Sequence, residues 1–232
     1  MLHRPQPPRT FVDAMPAPLL MLPGTLCDGR LYAGVLERLQ VLARVPLLAG
    51  ADSTTAMAER LLTEASSRIS LCGFSLGAIV ALEMIALAPE RIERLALIAC
   101  NPGVLDDTAR ASRAALRQSE FADATDGPLV QAMARETDAG AYRQQTRMTL
   151  ERSDSRPRLA RIDVPTLVLC GACDRTCPPA MSRAIADAVP GACLAIVPGA
   201  GHYLPLERPG RVADELAAWL AMPVRSCAKE PS

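Results

Sequence analysis

Ser75 stands in the run Gly73-Phe74-Ser75-Leu76-Gly77, a G-x-S-x-G pattern directly behind the apolar segment Ile69–Gly73. A serine hydroxyl is a weak nucleophile at its ordinary pKa and attacks a carbonyl only with a base beside it. The chain has two histidines, and His3 lies in a Pro-rich opening segment remote from any motif. His202, in Gly199-Ala200-Gly201-His202-Tyr203, is therefore the candidate base. An acid must then hold the imidazole in one tautomer and stabilise the imidazolium. Asp174 suits that role because it follows the apolar run Thr166–Cys170 within a few residues. Its rivals Asp154 and Asp163 precede that run and belong elsewhere.

Acyl chemistry also needs two backbone N–H donors aimed at the developing oxyanion. Leu76 follows the nucleophile at the start of a helix, where the first amides have no intrahelical partner. The second donor is expected from the loop Pro23-Gly24-Thr25-Leu26, with Thr25 the first choice and Leu26 the alternative.

These residues need a scaffold that brings three loops to one edge. Short apolar runs alternate with helical patterns, the signature of βα units and a parallel sheet. Strands are predicted at 18–22, 41–47, 69–73, 94–100, 166–170 and 193–197. Helices are predicted at 31–39, from an N-cap at Ser53 through Ala65, after Ser75, from Pro178-Pro179, and from Pro209 to Met222. The helix LGAIVALEMIALA is apolar almost all round and so belongs in the interior.

The stretch 101–163 breaks the alternation. It is Arg- and Ala-rich, with helices predicted near 106–122, 128–136 and 139–151. It reads as a helical cap insertion in a core made of 18–100 and 164–222. Leu26, Leu129, Met133, Tyr142 and Met148 are the candidate substrate-lining residues, and their apolar character points to an apolar acyl group. Residues 1–17 and 223–232 read as disordered tails, and Met15 is a second candidate start.

Composition sets the outer limits. The 232 residues are half hydrophobic and only 3% aromatic, with 25 Lys+Arg against 25 Asp+Glu. Nothing there calls for a nucleic-acid or membrane partner, and no run has the length of a signal peptide or a membrane span. A cytoplasmic protein is expected. Cys170, Cys173 and Cys177 crowd one segment, but no second cysteine pair or histidine cluster completes a metal site, so neither metal nor cofactor is expected. Glu207, Arg208, Arg211 and Glu215 read as a solvated face, and nothing speaks to oligomeric state.

Taken together, LLMLPGTLCDGRLY, GFSLGAIVALEMIALAPERIERLALIAC, PTLVLCGACDRTCPP and PGAGHYLPLERPGRVADELAAWL resemble the α/β-hydrolase superfamily. The chain is most similar to small bacterial esterase-like members such as the pimeloyl-ester carboxylesterases. The resemblance implies a mostly parallel sheet flanked by helices, a triad of Ser75, Asp174 and His202 in that chain order, and oxyanion amides from Thr25 and Leu76. It departs from many relatives in carrying Pro23-Gly24 where they have His-Gly. The short segment before the first strand implies about six strands, and the short insertion implies an open acyl pocket.

The expected activity is cleavage of a small carboxylic ester through an acyl-enzyme. The same scaffold supports C–C bond or thioester hydrolysis, acyl transfer and perhydrolysis, and a non-catalytic ligand-binding relative would share the fold. Haloalkane dehalogenases and epoxide hydrolases of this fold use an aspartate nucleophile, which Ser75 argues against.

Overall fold

The computed structural model describes residues 17–116 and 127–224. The expected tails fall almost wholly outside these residues, as does the far end of the helix predicted to reach Ala122. In chain order the elements are β1 (Leu19–Leu22), α1 (Ala33–Leu39), β2 (Ala43–Arg44), α2 (Thr54–Glu64), β3 (Ile69–Phe74), α3 (Leu76–Leu87) and β4 (Ile92–Ile98). They continue with α4 (Asp107–Ala115), α5 (Pro128–Glu136), α6 (Ala139–Glu151), β5 (Thr166–Gly171), α7 (Pro179–Ala188), β6 (Cys193–Val197), α8 (Leu204–Glu207) and α9 (Pro209–Leu220). The sheet has six strands in the order β2-β1-β3-β4-β5-β6, and every neighbouring pair is parallel.

A parallel sheet is covered on both faces, so its strands must be apolar on both. Along each central strand successive residues therefore feed opposite cores. Leu20, Leu22, Leu71, Leu95, Leu97 and Val168 face the core under α2, α3 and α7. Leu19, Met21, Cys72, Phe74, Ala96, Ile98, Leu167 and Leu169 face the one that holds Trp219 of α9. The helix α3 is buried at every position from Leu76 to Ile85, as its all-round apolar sequence requires. Its one charge, Glu83, accepts hydrogen bonds from Thr55 Oγ1 at 2.9 Å and Arg158 Nη2 at 2.7 Å, which is how a carboxylate is tolerated there.

Several boundaries differ from the sequence reading. The second strand shrinks from seven residues to Ala43–Arg44 because Pro46 has no N–H for a ladder, and Leu42 is left facing solvent. The fourth strand starts at Ile92 and stops at Ile98, where Ala99 turns to φ 51°. The helix expected from Asp106 opens there, with the Asp106 side chain accepting the Ala109 N–H, but ends at Ala115 as Leu116 takes extended dihedrals. Sequence periodicity also missed α8 and the 3-10 segments Gly29–Tyr32, Pro89–Arg91 and Arg156–Arg161, which are too short to show a period.

Strand order decides where a site can form. From β1 the chain passes to β2 on one side and then returns to β3 on the other, so the loops after β1 and β3 diverge and leave a crevice at the carboxyl edge. Those loops carry Thr25 and Ser75.

Candidate active site

Ser75 is the residue between β3 and α3, at φ 52° and ψ −113°. A non-glycine residue there stores about 1–3 kcal/mol of strain, which the surroundings must impose. They do so at two points. The Ser75 N–H donates to the Ile98 carbonyl at 2.9 Å, and the Ser75 carbonyl accepts from Ala78 and Ile79 in the first turn of α3. The flanking glycines permit the close turn: a Cβ on Gly73 would lie 2.4 Å from the Gly77 carbonyl oxygen, and one on Gly77 would lie 2.2 Å from that of Leu22. The hydroxyl thus stands at the N-terminus of α3, where the helix dipole favours negative charge.

His202 Nε2 lies 3.2 Å from Ser75 Oγ, and its Nδ1 lies 2.9 Å from Asp174 Oδ2. The imidazole packs at 5.1 Å from the Phe74 ring and edge-on to Tyr203 at 5.5 Å, in a cluster of three mutually touching rings that limits its rotation. The Asp174 side chain is fully buried. Its other oxygen, Oδ1, accepts the N–H groups of Thr176 and Cys177, each at 2.8 Å. Those two donors fix the orientation of the carboxylate and aim Oδ2 at the ring. The loops bearing the two residues are tied to each other by Ala172 N–H to the Val197 carbonyl and Cys173 N–H to that of Ala200.

Sequence reasoning placed Glu207 on a solvated helix face. It lies in α8 and reaches back, where its carboxylate accepts the Gly201 N–H at 2.6 Å, one residue before His202. Arg208 clamps the same loop through the Gly199 carbonyl at 3.0 Å. Only Arg211 and Glu215 behave as the expected surface pair.

Thr25 and Leu76 both line the cavity in front of Ser75, and neither backbone N–H has a hydrogen-bond partner among the described residues. Leu26, the alternative donor, is excluded because its N–H is taken by Gln145 Oε1 at 2.8 Å. Its side chain packs against Ala134 and Tyr142 instead of facing the cavity.

The cavity measures about 330 Å³, at the small end for ligand sites. The other expected lining residues do not reach it. Leu129 is partly exposed on α5, and Met133 and Met148 lie in the two main cores. Tyr142 donates its hydroxyl to the Leu116 carbonyl at 2.6 Å and supports the wall from behind, with the Arg113 guanidinium 5.8 Å from its ring centroid. Apolar residues at helical spacing mark the face by which a helix docks, and here that face is turned to the core. The segment 101–163 lines the cavity instead with Asn101, Leu105, Arg113, Thr149 and Arg152. The sequence reading assigned no arginine to the site. Nothing in the spacing of this Arg-rich segment separates an inward-facing arginine from the many surface ones.

Asp174, Cys177 and His202 together place one possible metal-ligating atom each within 4.8 Å. These donors fit a metal poorly. His202 Nδ1 and Asp174 Oδ2 are engaged with each other, and burial first, then the Asp174 charge, pushes the Cys177 thiol well up. A protonated thiol is a weak ligand. Among the described residues all seven cysteines are free thiols, Cys173 and Cys193 being exposed. No helix of the described residues is long and apolar enough to cross a membrane.

The alpha/beta hydrolase family model matches residues 19–215. The chain belongs to that family. Its fold is similar to that of a thermophilic esterase from Thermogutta terrifontis, solved with malate bound, at 23% identity and a TM-score of 0.75 over 88% of this chain and 89% of the other. It is similar to an enol-lactonase from Burkholderia xenovorans LB400 at 24% identity and a TM-score of 0.74, over 89% and 92% of the two chains. A bromoperoxidase from Bacillus anthracis gives 17% identity and a TM-score of 0.72, over 88% and 92%. No curated protein matches the sequence. Likeness at these identities defines the fold, and the three names show how different the chemistry on it can be.

Proposed function

We propose that the protein is a serine hydrolase that cleaves a small carboxylic ester. The observation that carries this reading is the unbroken line from buried Asp174 through His202 to Ser75, at 2.9 Å and 3.2 Å, ending on a serine held at positive φ before two amides that have no partner among the described residues. In this reading Ser75 Oγ attacks the ester carbonyl carbon as His202 Nε2 takes the hydroxyl proton. Asp174 steadies the imidazolium, and the amides of Thr25 and Leu76 bind the oxyanion. Collapse breaks the bond to the alkoxy oxygen, which leaves as the alcohol with the proton from His202. Water then attacks the acyl-enzyme, His202 takes its proton, and Ser75 is released as the hydroxyl with the free acid.

The 101–163 segment is the cap in this account, and the core is 18–100 with 164–222. The apolar acyl group expected from the sequence is not carried forward, because the residues that suggested it lie outside the cavity. Turnover of p-nitrophenyl acetate by wild type and Ser75→Ala tests the reading. Wild type should turn over, with the variant slower by about 10⁴-fold or more. Equal rates, or a folded wild type with no turnover, would refute it.

A further inference from the structure

Arg152 follows α6 and is 5% exposed. Its Nε donates to the Gly103 carbonyl at 2.7 Å and its Nη1 to that of Thr149 at 3.1 Å. Its Nη2 is buried, and among the described residues it has no hydrogen-bond partner. The side chain lines the cavity that holds Ser75 and His202, and among the described residues no aspartate or glutamate lines that cavity with it. Among the described residues the ionisable groups that face it are the thiols of Cys100 and Cys177 and the guanidinium of Arg113. Burial pushes Cys100 up to about 12 and Cys177 well up, so both are neutral near pH 7. A guanidinium does not shed its proton in a protein. Among the described residues this buried positive charge is compensated only by backbone carbonyl dipoles, an arrangement that costs stability unless an anion arrives. Arg113 adds a second guanidinium to the same wall from α4.

We propose that the substrate bears a carboxylate in addition to its scissile ester, and that the Arg152 guanidinium binds this carboxylate. The proposal rests on the ester-hydrolase reading and names the substrate class for that site. A cavity of about 330 Å³ has room for a compact molecule of this kind, such as a monoester of a short dicarboxylic acid or an acylated short hydroxy acid. Arginine suits this recognition because its planar fork matches a carboxylate in geometry as well as charge. With the acid bound, the ester is held at a fixed reach from Arg152 toward Ser75, and the anion is discriminated from a neutral analogue by a charge-assisted hydrogen bond.

The test compares kcat/KM for charged and neutral probes of matched shape. Monoethyl succinate is paired with ethyl succinamate, and acetoxyacetate with acetoxyacetamide, so the two series place the carboxylate on the acyl or the alcohol side. Wild type should favour the anion in one series by at least about tenfold. In Arg152→Gln the charged-to-neutral ratio should fall to about one, and Arg152→Lys should restore part of it. Should Arg152→Gln fail to fold, the wild-type ratio and the lysine variant still decide. Turnover of p-nitrophenyl acetate without charge preference in either series would overturn this proposal alone. Absence of p-nitrophenyl acetate turnover would overturn the ester reading and this one with it.

Discussion

The side-chain oxygen of Gln145 accepts the backbone N–H of Leu26 at 2.8 Å, across 119 residues of sequence. Gln145 is 2% exposed, sits on α6, and donates its amide to the Leu48 carbonyl at 3.0 Å. Leu26 is itself held at φ 56°. A single buried amide thus joins the helical segment over the cavity to the loop that presents Thr25. It also decides between the two candidate oxyanion donors, since an N–H already spent on Gln145 is not available to a substrate.

Replacing Gln145 by Leu should weaken both fold and activity. Leu26 N–H and the Leu48 carbonyl would be left buried without partners, at roughly 1–3 kcal/mol each. Urea unfolding should show a loss of about 2 kcal/mol or more. As the Thr25 amide drifts, kcat for p-nitrophenyl acetate should drop about tenfold or more, with a smaller change in KM. An unchanged kcat in a destabilised variant would mean that Thr25 is not the donor.

Asp174→Asn separates orientation from architecture. An asparagine Oδ1 can still accept the Thr176 and Cys177 amides, so the loop should fold. The Nδ2 amide group in place of Oδ2 presents only a donor to Nδ1, which imposes the wrong imidazole tautomer and stabilises the imidazolium poorly. A loss of about a thousandfold or more in kcat is expected, with a native circular dichroism spectrum. A loss below tenfold would remove Asp174 from the mechanism.

Alkaline pH should destabilise the protein through its buried thiols. Burial raises Cys72 and Cys100 from about 9 to about 12, and lifts Cys177 and the Tyr32 hydroxyl well up. Above pH 9 the unfolded chain gives up protons that the native state keeps, so the unfolding free energy falls as pH rises toward 12. This contribution is fully present below pH 9. Urea midpoints from pH 8 to 11 should decline, and Cys100→Ala should flatten the decline. Equal slopes in the two proteins would contradict the assignment.

Gly77→Ala probes the turn below Ser75. The added methyl would sit 2.2 Å from the Leu22 carbonyl oxygen at the end of β1 and 2.6 Å from that of Pro23 in the loop that carries Thr25, both backbone atoms. No flexible side chain can yield there, so β1 and α3 must separate. A destabilisation of about 4 kcal/mol or more is expected in urea, or loss of soluble protein. A variant as stable as wild type would contradict the close packing of β1 on α3.

The parts of this architecture that show in the sequence are those with a strong local cause. Alternating apolar runs of the central strands announce a parallel sheet, since each strand must serve two cores. That Ser75, His202 and Asp174 meet could be read because each lies just past such a strand. Ser53 and Asp106 declare their helices by capping them. What stayed hidden depends on which way a helix in the 101–163 segment turns. Tyr142, Met133 and Met148 are apolar residues of the kind that line a pocket, yet each packs into the body of the protein. Gln145 and Arg152, which reach the functional loops, look like ordinary polar residues of an Arg- and Gln-rich stretch. Glu207 was equally opaque, because its partner is a backbone amide six residues back in a loop with no periodicity.

The most direct test of the account is covalent labelling with a fluorophosphonate, read by intact mass and peptide mapping, on wild type, Ser75→Ala and His202→Ala. One adduct per wild-type chain, mapped to Ser75, is the predicted result, with none on Ser75→Ala and slow labelling of His202→Ala. A folded wild type that takes no label, or takes it on another residue, would contradict the assignment of Ser75 as the nucleophile.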